Sequence, residues 1–354
     1  MISGARQGRN PARENFFSQA RDCERLGSKF YGRFLHVLGE YISDESSIGA
    51  RILNWPGHPR DDALALRLAG GLHALVRSGA APELADVFPG GEHEGNEVRY
   101  WPAAEAAFVS HTPHLDSYLD SPPQTNEVAR SAVLLPGFCE VFRRSGLPLA
   151  IFEIGASAGC NLLWERYAYD LSGTSIGPTG SGVVISTAWS GDIPKEPFPT
   201  VAARRACDKN PIAADDPEQR DRLLSYLWPD QAARMERLEG ALRLVAQSGL
   251  SVDRADAADW VEAHFSARPG VATVLYHSIF WQYLPADVRA RIEGSILSAG
   301  AAATADAPVA WLRMEPDPDG ANAALHLDYW PGEVSRKLAA ADYHGRWVDL
   351  ALGR

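Results

Sequence analysis

The segment Leu149-Ala-Ile-Phe-Glu-Ile-Gly-Ala-Ser-Ala-Gly-Cys-Asn-Leu-Leu-Trp164 constrains the fold of this chain more than any other. A short apolar run closes on Glu153. Small residues follow from Gly155 through Ala156, Ser157 and Ala158 to Gly159, and a helix-like pattern opens at Cys160 or Asn161. Strand, tight turn and helix in that order bring backbone N–H groups and a helix N-terminus to one edge of a sheet. Such an edge holds a nucleotide-like ligand or exposes a nucleophile, and the residues from Gly155 to Gly159 fit both chemistries.

The surrounding texture favours a layered α/β fold. After Pro148, strand signals are expected at 149–154, 201–207, 250–254, 271–277, 309–314, 323–329 and 347–350. Helices are expected between most of them, at 160–169, 217–248, 260–267, 285–298 and 332–341, with a hairpin inserted at 183–189. Alternation of this kind implies a largely parallel sheet covered on both faces, closed here by an antiparallel pair around the turn 342–346.

Ahead of it, Phe16, Phe17, Ala20, Cys23, Phe30, Phe34, Leu35, Leu38 and Tyr41 recur at helical steps, with a break at Gly27. Further helices are expected at 61–75 and 101–118, with a loop over 88–95. The segment 122–130 reads as two prolines leading into a helix that Thr125 or Asn126 caps. The expectation is an N-terminal helical domain over 1–121 and a Rossmann-like domain over 122–354 with a seven-stranded sheet. The helical domain, with His111 and His114, would serve as lid or substrate-selecting surface.

Composition excludes several classes. The net charge is −11 and no Lys/Arg run concentrates a basic patch, so nucleic acid is disfavoured as a partner. Cys23, Cys139, Cys160 and Cys207 stand singly, which indicates neither a zinc knuckle nor a redox dithiol, and no metal is expected. No stretch approaches the roughly 20 apolar residues of a membrane span, and the first residues lack the apolar core of a secretory signal. A cytoplasmic protein with reduced thiols is expected.

A nucleoside ligand needs an acid to accept hydrogen bonds from its ribose, at the end of the second strand of such a sheet; Asp208 stands there. At the next strand end Asp256 can receive an adenine amino group, with the Ala257 N–H beside it. Tyr276-His277-Ser278 closes a further strand, facing the reactive part of a ligand. This order resembles the class I S-adenosylmethionine-dependent methyltransferases. It departs from them at Ser157, where a second glycine is expected, in the long gap from Gly159 to Asp208, and in lacking an Asn/Asp-Pro-Pro-aromatic element. More narrowly, Gln124-Thr-Asn-Glu-Val-Ala-Arg130, Glu153 to Leu162, Trp228-Pro-Asp-Gln231 and His277-Ser278 resemble the bacterial domain-of-unknown-function family 2332.

The methyltransferase resemblance implies S-adenosyl-L-methionine as cofactor, held by Glu153, Gly155, Ala156, Ser157, Gly159, Asn161, Asp208, Asp256 and Ala257. It also implies contacts from Gln124, Asn126 and Arg130 to the amino-acid end. His277 would be the base, and Ser278, Gln282 and Tyr283 would line the acceptor side, for a small molecule or a protein side chain.

Other readings stay open. Gly155-Ala-Ser157-Ala-Gly159 also spells G-x-S-x-G, the nucleophile elbow of an α/β-hydrolase esterase, with Asp256 or Asp259 and then His277, His326 or His344 to complete a triad. Against it, such an elbow follows several earlier strands, and Glu153 has no part in it. A dinucleotide oxidoreductase and a non-catalytic nucleoside-binding protein of the same fold are the remaining alternatives. Asp259 also reads simply as a helix N-terminal charge, and Trp55, Trp101, Trp281 and Trp330 as core.

Overall fold

The computed structural model describes residues 10–351 apart from 196 and 319. They form two compact units. One holds the described residues up to Thr125 together with Asp221–Glu236; the other holds Asn126–Arg220 and the described residues from Arg237 onward.

The first unit is helical: α1 (Pro11–Arg25), α2 (Lys29–Tyr41), α3 (Ser47–Leu53), α4 (Leu64–Arg77), α5 (Pro82–Val87), α6 (Tyr100–Ser110) and α7 (Thr112–Leu119). Asn10 caps α1, its Oδ1 accepting the Ala12 N–H at 2.9 Å, and Pro11 opens the helix where a missing donor does no harm. Gly27, at φ +105°, separates α1 from α2 as the periodicity indicates. Phe30, Phe34, Phe88 and Tyr100 pack with ring centroids 4.7–5.7 Å apart. Each such ring buried contributes on the order of 2 kcal/mol. Asp230 accepts the Ser28 hydroxyl at 2.7 Å and the Phe30 N–H at 3.0 Å, at the start of α2. Trp228 is buried in this core, so Trp228-Pro-Asp-Gln231 has a structural task and interrupts the single helix expected over 217–248.

The second unit follows the order α8 (Arg130–Ser145), β1 (Leu149–Ile154), a 3-10 segment Cys160–Arg166, β2 (Ala168–Leu171), β3 (Thr174–Ile176), β4 (Val184–Ser190), β5 (Val201–Asp208), α9 (Pro217–Ser225), α10 (Ala232–Ser248), β6 (Asp253–Arg254), α11 (Ala257–His264), β7 (Ala272–Ser278), a 3-10 turn Trp281–Tyr283, α12 (Ala286–Ala301), β8 (Val309–Pro316), β9 (Ala323–Trp330), β10 (Val334–Ala341) and β11 (Trp347–Asp349). Parts of α9 and α10 belong to the helical unit. The strands make one mixed, mostly parallel sheet of eleven, ordered β3-β2-β4-β11-β10-β9-β8-β7-β1-β5-β6. The run β6-β5-β1-β7-β8 is parallel throughout; β9 and β10 return antiparallel.

Every residue of β1 is buried, as a central strand covered on both faces requires. On one face Phe138 of α8 stacks on Trp164, centroids 4.6 Å apart. On the other, Trp260 and Val261 of α11 and Ile292 and Ile296 of α12 pack with Phe152 and Leu275.

The α/β class, the helical N-terminal region and the parallel core agree with the sequence reading. Several elements differ from it. The sheet has eleven strands among the described residues, against the seven expected. Where a helix is expected over 332–341, Val334–Ala341 is strand β10, because β9 offers a full pairing edge that outweighs its Lys, Leu and Ala content. The hairpin is β2–β3; β4, at the place expected for it, is a single strand between β2 and β11. The expected helix 160–169 is a 3-10 segment that gives way to β2. The strand expected at 250–254 shrinks to Asp253–Arg254. Neither Thr125 nor Asn126 caps α8, which starts at Arg130 without a side-chain cap. No helix of the described residues is long and apolar enough to cross a membrane.

Candidate functional site

Strand order reverses at β1, which has β5 on one side and β7 on the other. In open parallel sheets the crevice above such a reversal, at the carboxyl ends of the strands, is where ligands bind. The small-residue turn after β1 stands there. Gly155, at φ +70°, lies against Phe280, and a Cβ on it would come within 2.2 Å of that ring.

The turn is fastened by its own amides. Gly155 and Ala156 donate to the Cys207 carbonyl at 3.0 and 3.2 Å, and Ser157 donates to Asp208 Oδ2 at 2.9 Å. Gly159 donates to the Ala156 carbonyl at 2.8 Å and Cys160 to Asn126 Oδ1 at 3.1 Å. Five of the six N–H groups from Gly155 to Cys160 are therefore engaged within the protein. A phosphate cradle needs such donors unengaged, so this turn does not supply one.

Three carboxylates close the consecutive strands β1, β5 and β6. Glu153 is 2% exposed and accepts the Tyr276 hydroxyl at 3.0 Å. Burial pushes its carboxyl up to about 8, the Tyr276 hydrogen bond works against this, and the Asp208 charge adds to it. Asp208 is partly exposed; Oδ1 accepts the Asn210 N–H at 2.8 Å while Oδ2 holds Ser157. A carboxylate has about four acceptor positions, so two remain for hydroxyl donors. Asp256 caps α11 through the Ala258 N–H at 2.9 Å and lies 3.3 Å from Lys209 Nζ. Burial raises the Asp256 carboxyl, but the Ala258 amide and Lys209 outweigh this and hold it below the usual range. Ala257 is buried at the first position of α11.

Asn161 joins the turn to α8, its Oδ1 accepting the Ser131 hydroxyl at 2.7 Å. Asn126, set at Cys160, performs a comparable task. Arg130 donates from Nη1 to the Ser278 carbonyl at 3.0 Å and from Nε to the Tyr343 carbonyl at 3.2 Å, tying α8 to the end of β7. Gln124 falls in the helical unit.

At the end of β7, His277 is fully buried. Its Nδ1 lies 2.6 Å from Glu315 Oε1, and its Nε2 takes the Trp311 indole N–H at 3.2 Å. The ring stacks on Trp281 with centroids 5.1 Å apart. The same Glu315 oxygen accepts the Phe280 and Trp281 N–H groups at 3.0 and 3.1 Å. Burial pushes the Glu315 carboxyl up, and these hydrogen bonds together with His277 carry it below the usual range. Both ring nitrogens of the residue expected as base are thus engaged, and the geometry makes it the anchor of the turn that carries Phe280. Ser278 is partly exposed, and Gln282 and Tyr283 are exposed on that turn. Tyr276 is among the residues the sequence places at this strand end, whereas Trp311 and Glu315 are not. An acid at the end of the strand beside the His277 strand was the available signal.

Ser157 Oγ is buried without a hydrogen-bond partner, and no histidine reaches it among the described residues. His326 lies on β9, three strands from β1, about 14 Å at the usual strand spacing. Asp259 pairs with Arg291 at 2.7 Å. A triad around Ser157 is not assembled. Beside the turn, a cavity of about 430 Å³ is walled by Ala158, Pro211, Ile212, Ala214, Leu250, Val252 and Arg254, among others; none of Glu153, Asp208 and Asp256 lines it.

No curated protein and no solved structure matches the chain. One protein family, described as "Uncharacterized protein conserved in bacteria (DUF2332)", matches it over residues 13–350, and the chain belongs to that family.

Proposed function

We propose that the unit built around β1 binds S-adenosyl-L-methionine and transfers its methyl group to a small molecule or a protein side chain. The observation that carries the reading is the bond from the Ser157 N–H to Asp208 Oδ2, which joins the turn after β1 to the acid of the neighbouring strand. An adenosine with hydroxyls and no phosphate suits a rim whose amides are engaged and whose carboxylates retain acceptor positions. The parallel run β6-β5-β1-β7-β8 supports the same reading, although the meander β9–β10–β11 closes the sheet differently from a seven-stranded methyltransferase sheet.

The bound cofactor would supply an electrophilic methyl carbon. The chain's residues then orient and exclude water, which is the larger part of catalysis by an in-line displacement. Asp208 and Asp256 would orient the nucleoside. His277, acting through Glu315, is a positioning residue for the turn bearing Phe280, and Ser278, Gln282 and Tyr283 flank the acceptor. The engaged state of His277 favours a second reading, a nucleoside-binding protein that transfers nothing.

Calorimetric titration with S-adenosylhomocysteine tests the first step: binding that Asp208→Ala abolishes is expected, and no binding at millimolar ligand overturns the proposal. Transfer of labelled methyl into a cell extract divides enzyme from binding protein.

A further inference from the structure

We propose that the cavity beside the turn after β1 is a binding site for an α-amino acid with an apolar side chain. The proposal stands apart from the cofactor reading, because none of Glu153, Asp208 and Asp256 lines this space. Its volume of about 430 Å³ falls within the roughly 300–1,000 Å³ of small-molecule sites. All of its wall belongs to one unit: Ala158 from the turn, the segment 211–215 after β5, Gln219 of α9, the end of α10 and the segment leading into β6.

The wall sorts by chemistry. Ala158 and Ala214 are buried, and Ile212, Leu250 and Val252 are partly covered, so the depth of the cavity is aliphatic. Asp215, Ser251 and Arg254 are exposed at its mouth. Arg254 is already fixed: its Nη1 donates to the Lys209 carbonyl and to Asn210 Oδ1, each at 3.1 Å. Its Nε and Nη2 donors, one edge of the guanidinium, have no partner among the described residues. Such an edge takes a carboxylate through two parallel hydrogen bonds. Asp215, on the same wall, has no partner for its carboxylate among the described residues and no ion pair with Arg254. Opposite charges that share a cavity without closing on each other suit a ligand that carries both. A simple anion is repelled by Asp215, and a simple amine leaves Arg254 unmatched. A zwitterion satisfies the two, and the aliphatic depth takes its side chain.

The full chain is titrated calorimetrically with L-leucine, with isocaproate, which lacks the ammonium, and with isoamylamine, which lacks the carboxylate. L-Leucine is expected to bind, and each analogue to bind at least about tenfold more weakly. Asp215→Asn and Arg254→Gln should each weaken L-leucine by about tenfold, and Ala246→Trp, which fills the cavity from the exposed side of α10, should abolish its binding. No binding of L-leucine at millimolar ligand, or equal affinity for either analogue, overturns the proposal. So does full affinity in Ala246→Trp, which would place the amino acid elsewhere. Should Arg254→Gln not fold, Asp215→Asn at its exposed position decides: unchanged affinity for L-leucine overturns the proposal.

Discussion

The backbone N–H of Ser157 points at Oδ2 of Asp208 from 2.9 Å, so the acid at the end of β5 is part of the turn after β1 before any ligand arrives. Preorganisation follows. The turn cannot shift without moving the Asp208 carboxylate.

That coupling makes Asp208→Ala and Asp208→Asn unequal. Alanine strands the Ser157 and Asn210 amides and should cost about 1–3 kcal/mol in urea denaturation, together with loss of S-adenosylhomocysteine binding. Asparagine keeps one acceptor and should lose less than half of that stability. Equal losses would show that the acceptor kept by asparagine contributes nothing.

Glu153→Gln should change how stability depends on pH. Above the ordinary carboxylate range and up to about 8, native Glu153 retains a proton that the unfolded chain has released. Raising the pH through that window therefore favours unfolding, and the full penalty is present above the folded value. Between about pH 5 and pH 8 wild-type protein should lose on the order of 2 kcal/mol more than the glutamine variant. Parallel stability curves would contradict this.

Gly155→Ala sets a methyl group into the Phe280 ring and forces an L side chain to φ +70°. A loss of about 2 kcal/mol is expected in thermal or urea unfolding. Combining it with Phe280→Ala should restore part of the loss, whereas strictly additive losses would mean that the contact is not the cause.

Glu315→Gln replaces the acceptor of three donors, His277, Phe280 and Trp281. Tryptophan emission should shift, since Trp281 and Trp311 pack on His277, and stability should fall by about 1–3 kcal/mol. Unchanged emission would place the turn's anchor elsewhere.

A fluorophosphonate probe should leave Ser157 unmodified, because no imidazole stands ready to take its proton. Stoichiometric labelling at Ser157 would revive the hydrolase reading.

The strands that build the crevice are legible because they are short runs closing on a polar side chain: β1 at Glu153, β5 at Asp208, β7 at His277. What stayed hidden depended on partners distant in sequence. Val334-Ser-Arg-Lys-Leu-Ala-Ala-Ala341 carries no alternation and is rich in helix formers, and pairing with β9 along its length and with β11 at its end turns it into a strand. Glu315 sits 38 residues beyond His277 and reaches it because β8 lies beside β7 in register. Asn126 looked like a helix cap from its neighbours, yet its oxygen belongs to Cys160, 34 residues on.

The eleven-stranded sheet ends on one side in β3, three residues long, and on the other in β6, only two. Long outer strands are templates on which further chains polymerise, and such short rims give an incoming strand little to hold. Concentrated solutions of the folded protein should accordingly resist edge-to-edge aggregation, even though so wide a sheet would otherwise invite it.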